Sequence, residues 1–213
     1  MMKLDKLLNT VHRFFKLATD SEELPADSKD VATILKNLSK LETHKARGDY
    51  ADRNLEHLSS GTSRKVLTMP GGKEVMKLAK NDRGIAQNKA EAAIKCKYVN
   101  KTVKSDPDGI WKISPFLDKI DEKEFEKLIG VDFKSFGKAL EHGLESVSGD
   151  KEAKPKNFDE IKDLDIYKEL VACGKKHQLM PGDMSRISSW GKINNHPTLL
   201  DAGLTKEIYD EFY

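Results

Sequence analysis

Apolar residues near the start of the chain recur at steps of three and four, which is the pattern of one face of an α-helix. The stripe runs through LDKLLNTVHRFFKLAT at 4–19 and resumes in VATILKNLSKL at 31–41, with Pro25 interrupting it between the two segments. We therefore expect helices over 3–17 and 28–42 that form a helical hairpin within residues 1–45. Two interpretations are open for this appendage: its apolar stripes pack on the main domain or on each other, or they dock a protein partner.

The pattern from residue 46 to 117 consists of short runs separated by turn residues. Runs at 64–69 and 74–78 flank the Pro70–Gly72 turn, which predicts a β-hairpin. A helix is expected over 84–97, followed by a turn at DPDG, 106–109, and a short strand in GIWKISPFL. These features predict a small antiparallel sheet with one helix packed on it.

The pattern over residues 118–213 is mostly helical. Helices are expected at 122–130, 132–147 and 158–176, with a polar loop at 148–157 and a short strand at Thr198–Leu200. The order of helices, then strands around one helix, then mostly helices predicts an α+β protein in three parts: 1–45, 46–117 and 118–213.

The composition narrows the class of protein. Of the 213 residues 38% are hydrophobic and 34% are charged, which is enough apolar material for a core. A net charge of +2 is too small an excess of positive charge to indicate nucleic-acid binding. Charged residues interrupt every apolar run, so we expect neither a membrane-spanning helix nor a signal peptide. Cys96 and Cys173 are too few and too far apart for a disulfide framework or a zinc ribbon, and we expect a reducing, cytoplasmic compartment.

Several common motifs fail on inspection. Gly72-Lys73 lacks the upstream glycine and the following Ser or Thr of a phosphate-binding loop. A G-x-G-x-x-G dinucleotide fingerprint after a strand is missing too. The six histidines do not occur in the H-E-x-x-H spacing, so we expect them to be surface or half-buried residues and not zinc ligands.

Polar residues that suit nucleotide chemistry occur in a meaningful order along the chain. A segment of small residues, Ser59–Ser63, enters the hairpin and leaves room for backbone amides to approach a phosphate. Lys77 lies on the returning strand, and Glu91 on the next helix is suited to pair with it. Asp183 and Asp201 follow much later, where one carboxylate would orient a hydroxyl and the other would hold Mg²⁺.

Three segments of the sequence resemble protein-kinase-like proteins, in particular short kinase-like proteins encoded mainly by tailed bacteriophages. SSGTSRKVLTMPGGKEVMKLAKNDRGIAQNKAEA is similar to their glycine loop, lysine strand and C-helix. PGDMSRISSWG is similar to their catalytic loop, and TLLDAGLTKEIYDEFY to their closing strand and their version of D-F-G. The resemblance covers residues 55 to 213. It implies a reduced bilobal kinase-like fold, with a small antiparallel sheet plus C-helix and a truncated helical C-lobe.

The resemblance also implies site residues, with ATP and Mg²⁺ as cofactors. Lys77 would contact the α- and β-phosphates and Glu91 would hold Lys77, while Asp183 would match the catalytic aspartate and Asp201 the Mg²⁺-binding aspartate. Ser188 stands where protein kinases have the asparagine that binds the second Mg²⁺. The residues expected to cover the phosphates or meet adenine are Ser60, Gly61, Thr62, Ser63, Phe116 and Leu117.

The sequence departs from the kinase pattern at several points. One glycine stands where the phosphate loop has three, Ala202 replaces the aromatic of D-F-G, and no activation segment or peptide platform follows Gly203. We therefore expect a Mg-ATP-binding protein of slow or restricted phosphotransferase activity, in the host cytoplasm or associated with the virion. The alternatives are a pseudokinase-type binding module without turnover, and a virion-associated structural module anchored by residues 1–45. Nucleic-acid and membrane partners are not expected.

Overall fold

The computed structural model describes residues 23–213, which divide into two compact units. The first ends at Asn54 and the second, called here the main unit, is Leu55–Tyr213. The first unit contains helices α1 (Val31–Lys40) and α2 (His44–Asn54). The Asp30 side chain caps α1 by accepting a hydrogen bond from the Thr33 amide at 2.8 Å, as expected at a helix N-terminus.

The two helices of the first unit differ from the predicted hairpin. The predicted helix at 3–17 lies outside the described residues, whereas the one at 28–42 corresponds to α1, which buries three apolar side chains of its stripe. The predicted boundary between residues 45 and 46 falls inside α2, and the structure divides the chain after Asn54 instead. Sequence reasoning missed α2 because HKARGDYADRN is polar and has no apolar stripe for a pattern to detect.

The main unit begins with a five-stranded antiparallel sheet in the order β1-β2-β3-β5-β4. The strands are β1 (Glu56–Ser60), β2 (Arg64–Thr68), β3 (Glu74–Ala79), β4 (Lys104–Ser105) and β5 (Trp111–Pro115). The predicted hairpin of β2 and β3 is present. Its turn places Gly71 at φ +92° and Gly72 at φ +69°, backbone angles that glycine adopts without steric cost.

One helix, α3 (Asp82–Ala93), packs against this sheet. The Asn81 side chain caps it by accepting a hydrogen bond from the Gly84 amide at 3.0 Å. The helix therefore begins two residues before the predicted start at 84 and ends well before 97. Its buried face is polar, with Gln87, Asn88 and Glu91 facing inward.

The rest of the main unit is mostly helical. Its helices are α4 (Glu122–Ile129), α5 (Phe133–Gly143), α6 (Glu145–Ser148), α7 (Phe158–Ile161), α8 (Asp165–His177), α9 (Pro181–Met184) and α10 (Lys206–Phe212), with a 3₁₀ turn at Ile187–Ser189. A second antiparallel sheet joins β6 (Asp118–Lys119), β7 (Trp190–Ile193) and β8 (His196–Leu199) in that order. The predicted helix at 158–176 is interrupted between α7 and α8.

The core of this helical part is built around Trp190, which is fully buried. The rings of Phe125, Phe133 and Phe136 meet it at centroid distances of 5.4, 6.2 and 6.0 Å in edge-on geometry. The indole N–H donates to the Met184 carbonyl at 2.9 Å, so the one polar atom of the ring is satisfied. This cluster fixes α4, α5 and the segment around α9 relative to β7.

The protein is thus an α+β protein, as the order of its sequence patterns predicts. Within residues 23–213, no helix is both long enough and apolar enough to cross a membrane. Cys96 and Cys173 form a disulfide that ties the segment after α3 to α8. This pairing differs from the two free thiols of a reducing compartment that the cysteine content predicts, and the 77 residues between the cysteines give no local signal for it.

Candidate functional site

Lys77 lies at the centre of a charged cluster beneath the five-stranded sheet. It occupies β3 between two paired strands, opposite Val66 of β2 and Lys112 of β5, and only 8% of it is exposed. Its Nζ donates to both carboxylate oxygens of Glu91, at 2.9 and 3.0 Å, and to the Leu200 carbonyl at 2.8 Å. The lysine therefore links the sheet to α3 and to the segment after β8.

Glu91 accepts hydrogen bonds from three cations. Besides Lys77, Arg64 of β2 donates from Nη1 at 2.7 Å, and Lys112 of β5 donates to the second carboxylate oxygen. All four side chains, which we call the charged cluster, are at least nine-tenths buried. Asn88, one turn earlier on α3, donates to the Lys77 carbonyl at 3.1 Å and to the Gly109 carbonyl at 3.0 Å, which fixes the helix against the sheet.

The electrostatics of the charged cluster follow from burial and proximity. Burial alone would raise the pKa of Glu91, but the neighbouring charges of Arg64, Lys112 and Lys77 outweigh it and hold that pKa well below its ordinary value. Burial lowers the pKa of Lys112 to about 8 despite the attraction of Glu91. Burial opposes protonation of Arg64 as well, but the charges of Asp201 and Glu91 raise its pKa.

Two aspartates that follow Lys77 by more than 100 residues in the sequence lie near it in the fold. Asp201 follows β8; its carboxylate contacts Arg64 Nη2 and lies 3.6 Å from Lys77 Nζ. Asp183 lies on α9, where Arg186 Nη1 is 3.6 Å from its carboxylate. Burial, reinforced by the negative charge of Asp201, raises the pKa of Asp183. The two carboxylates therefore have different surroundings: that of Asp201 lies against the cations Arg64 and Lys77, whereas burial makes that of Asp183 retain its proton to higher pH than usual.

These side chains open onto a cleft of about 650 Å³ between the five-stranded sheet and the helical part of the main unit. This volume is in the range of small-molecule sites. Its walls combine apolar side chains with charged and hydroxyl groups. The lining residues include Leu58, Val66, Val75, Lys77, Ser114, Phe116, Leu117, Asp183, Ser188, Leu200 and Asp201.

Ser114 adds an unusual polar group to the wall of the cleft. It lies on β5 opposite Val75, only 1% exposed, and its hydroxyl oxygen is buried with no hydrogen-bond partner. A buried hydroxyl without a partner costs about 1–3 kcal/mol, so its presence calls for a reason. A ligand group seated in the cleft would provide the missing hydrogen bond.

The structure brings together most of the residues singled out in the sequence. Lys77, Asp183 and Asp201 share the cleft although more than 100 residues of sequence separate Lys77 from either aspartate. Phe116 and Leu117 also line it, as does Ser188 in the 3₁₀ turn. Glu91 lies beneath the cleft, where it holds Lys77.

The small residues expected to cover phosphates lie elsewhere. Ser60 ends β1, and Gly61, Thr62 and Ser63 form the turn between β1 and β2. None of these four residues lines the cleft. Basic residues near the start of α3 hold this turn: Lys80 donates to the Gly61 carbonyl at 2.8 Å, and Arg83 to the Thr62 hydroxyl at 2.7 Å. Leu58 and Ser59, just before the turn, line the cleft instead.

Sequence reasoning missed Arg64 and Lys112, which complete the charged cluster. Each is a basic residue on a strand, and in a lysine-rich chain such residues are normally exposed. Local sequence gave no signal for Lys112 either, because Trp111 and Ile113 share one face of β5 and Lys112 shares the other with Ser114, an alternation that predicts an exposed lysine. A cation there requires a buried acidic partner.

Comparison of the sequence with protein-family models and with curated proteins finds no match.

Proposed function

We propose that the main unit is a reduced protein-kinase-like domain that binds a Mg²⁺–nucleoside triphosphate in the cleft. The observation that carries the proposal is the convergence of the Lys77–Glu91 pair with Asp183 and Asp201 on one cavity. A lysine held by a buried glutamate is a fixed positive charge that can receive phosphate oxygens. The sequence resemblance described above adds independent support, because it assigns nucleotide roles to these same residues.

The apolar side chains that line the cleft suit a nucleobase. Leu58, Val66 and Val75 come from the sheet and Leu200 from the opposite side, so a planar ring would lie between two apolar surfaces. The unpartnered Ser114 hydroxyl would accept or donate one hydrogen bond to the edge of such a ring. An apolar pocket with a few fixed polar groups is the usual form of a small-molecule site.

The charged and hydroxyl side chains of the cleft suit a phosphate chain with its metal ion. The Asp201 carboxylate, 42% exposed, and the Ser188 hydroxyl are oxygen donors of the kind that Mg²⁺ prefers, so these two residues would hold the ion. When bound, Mg²⁺ would neutralise phosphate charge. Lys77 would hold the phosphates, and Asp183, with its raised pKa, would accept the proton of an attacking hydroxyl.

A second candidate function is nucleotide binding without turnover. The observation that favours it is the ion pair of Asp201 with Arg64, because a cation on this carboxylate competes with Mg²⁺. Ser188 supports the same view, since a hydroxyl is a weaker ligand than a carboxamide or carboxylate. Efficient transfer needs the charge of the moving phosphoryl group to be neutralised. Weak binding of Mg²⁺ by Asp201 and Ser188 would leave that charge only partly neutralised.

Titration calorimetry with ATP and Mg²⁺ tests the proposal. We expect Lys77→Met and Asp201→Asn each to weaken binding at least about tenfold, because a hydrogen bond to a charged group contributes roughly 1.5–3 kcal/mol. Lys73→Met, which removes an exposed lysine on the same hairpin, is the matched control and should bind as the parent does. Absence of binding by the folded parent at millimolar Mg-ATP would refute the proposal. If the parent binds, an autophosphorylation assay separates the two candidate functions.

A further inference from the structure

A cluster of two cysteines and one histidine lies apart from the cleft. Cys173 and His177 are four residues apart on α8, so their side chains lie on the same face of the helix. Cys96 reaches them from the segment that follows α3, and the Cα atoms of the two cysteines are 6.2 Å apart. Both sulfur atoms and a ring nitrogen of His177 lie within 4.8 Å of one another.

The histidine of this cluster has a polar atom without a partner. Its Nε2 is buried and makes no hydrogen bond, although the rest of the residue is only partly buried. Buried polar atoms in native proteins are nearly always paired, so an unpaired one indicates strain, an ion or a catalytic role. Two sulfur atoms and an imidazole nitrogen are the ligand types that zinc prefers.

We propose that the reduced form of this protein binds one Zn²⁺ ion through Cys96, Cys173 and His177, and that formation of the disulfide abolishes the site. Structural and catalytic zinc sites both use thiolate and imidazole ligands, and three protein ligands leave a fourth position for water. The disulfide form cannot bind the ion in this way, because its two sulfurs are bonded to each other and are not the thiolates that serve as zinc ligands.

The interconversion is a balanced exchange with a dithiol reductant. The Cys96–Cys173 bond breaks, each sulfur gains one electron and one proton, and the dithiol becomes a disulfide. Binding of Zn²⁺ then releases both thiol protons, because the thiolate is the ligand. The sulfurs must also move apart, since two thiolates on a tetrahedral ion with bonds of about 2.3 Å lie about 3.7 Å from each other.

The proposed site would link two parts of the fold whether or not the cleft binds a nucleotide. Cys96 lies three residues after the end of α3, and Cys173 is 3% exposed in the core of the helical part. Either the disulfide or the ion therefore joins α3 to α8. Loss of both links would leave the segment after α3 held by its packing and by hydrogen bonds, among them those that Lys97 and Tyr98 donate to Asp165 of α8 at 2.6 and 2.7 Å.

The test is metal binding by the full-length chain after reduction with a dithiol, which is then removed under nitrogen. We expect the reduced parent to bind one equivalent of Zn²⁺ in a competition titration with a chromophoric chelator. Co²⁺ should give a thiolate charge-transfer band in the near ultraviolet. The oxidised parent should bind neither ion at this site.

Variants identify the ligands. His177→Gln and Cys173→Ser should each lower Zn²⁺ affinity at least roughly tenfold, since even second-shell partners of a metal are worth that much. His196→Gln removes an exposed histidine on β8 and should leave the affinity unchanged. Circular dichroism checks that each reduced protein is folded before titration.

Two results would overturn the inference. One is a reduced parent that binds no Zn²⁺, whether it is folded beforehand or fails to refold when the ion is added. The other is His177→Gln with the same Zn²⁺ affinity as the parent, which would remove the histidine from the site.

Discussion

At the residue scale, Glu91 is the buried carboxylate on which the charged cluster depends. All three cations of the cluster share it, and removing its charge would leave Lys112 without its acidic partner and Arg64 and Lys77 with Asp201 alone. Breaking a buried ion pair from one side typically costs about 3–5 kcal/mol, because the remaining charge has lost its partner. Lys77 differs, because two cations still pair with Glu91 when it is replaced.

We therefore expect Glu91→Gln to lower the free energy of unfolding by at least about 3 kcal/mol, and Lys77→Met by less than about 2 kcal/mol. Urea denaturation measures both. Glu126→Gln, at an exposed position on α4, is the control and should change stability by less than about 0.5 kcal/mol. A Glu91→Gln protein as stable as Lys77→Met would contradict the view that one carboxylate holds the cluster together.

Lys112 makes stability depend on pH in a particular direction. Its pKa is about 8 in the folded protein, below the ordinary value of 10.5, so between these values the unfolded chain binds the proton and the folded chain does not. The stability that Lys112 contributes must then rise with pH across this window, by roughly 1 kcal/mol per pH unit.

The measurement compares the parent with Lys112→Met by urea denaturation at intervals from pH 7 to pH 10. The difference in unfolding free energy between parent and variant should shift in favour of the parent as pH rises above about 8. Lys73→Met, which removes an exposed lysine, should differ from the parent by a constant amount. A difference that stays flat or falls across the window would show that burial does not perturb Lys112 in this way.

At the element scale, the strand β1 and the turn after it have different roles. Leu58 on β1 lines the cleft with 47% of its surface exposed, whereas Thr62 lies on the turn that Arg83 holds. If a nucleobase packs against Leu58, truncating this leucine to alanine removes contact area worth about 1 kcal/mol, or roughly fivefold in affinity.

Calorimetry with Mg-ATP should therefore show weaker binding for Leu58→Ala and unchanged binding for Thr62→Ala. The reverse order of effects would mean that the turn moves over the phosphates on binding, as the sequence resemblance implied, and that the arrangement of the unbound protein is not the one that binds.

How much of these elements the sequence could predict depends on the strength of each local signal. The β2–β3 hairpin was predictable because glycines mark its turn and apolar residues flank it. Helix α2 was not, because its buried side chains are two alanines and one tyrosine within a polar segment. The interruption at 162–164 was missed because the apolar pattern continues across it without a proline or glycine.

The candidate site shows a similar division. Lys77, Asp183 and Asp201 were identified because each lies in a short motif whose order along the chain is informative. Arg64 and Lys112 were missed because their roles depend on which strands are neighbours, and cross-strand pairing is not a local property of sequence. The disulfide was missed because 77 residues separate its two cysteines, and the packing that brings them together is likewise not a local property of sequence.

At the scale of the whole molecule, the division after Asn54 makes a clear prediction. Every residue of the cleft and of the charged cluster lies within Leu55–Tyr213, and the hydrogen bonds described for them are internal to that unit. We therefore expect residues 55–213 to unfold cooperatively and to bind Mg-ATP with the affinity of the full chain. Differential scanning calorimetry and titration calorimetry check these two expectations. A truncated protein that folds but loses nucleotide binding would place part of the site in residues 1–54.

The most direct test of nucleotide binding is a crystal structure of the protein with Mg²⁺ and a non-hydrolysable ATP analogue. We expect the base between Leu200 and the apolar side chains of the sheet, the phosphates at Lys77, and the ion on Asp201, which would release Arg64. An analogue bound elsewhere, or a cleft that stays empty at saturating ligand with Asp201 still paired to Arg64, would contradict the proposed function.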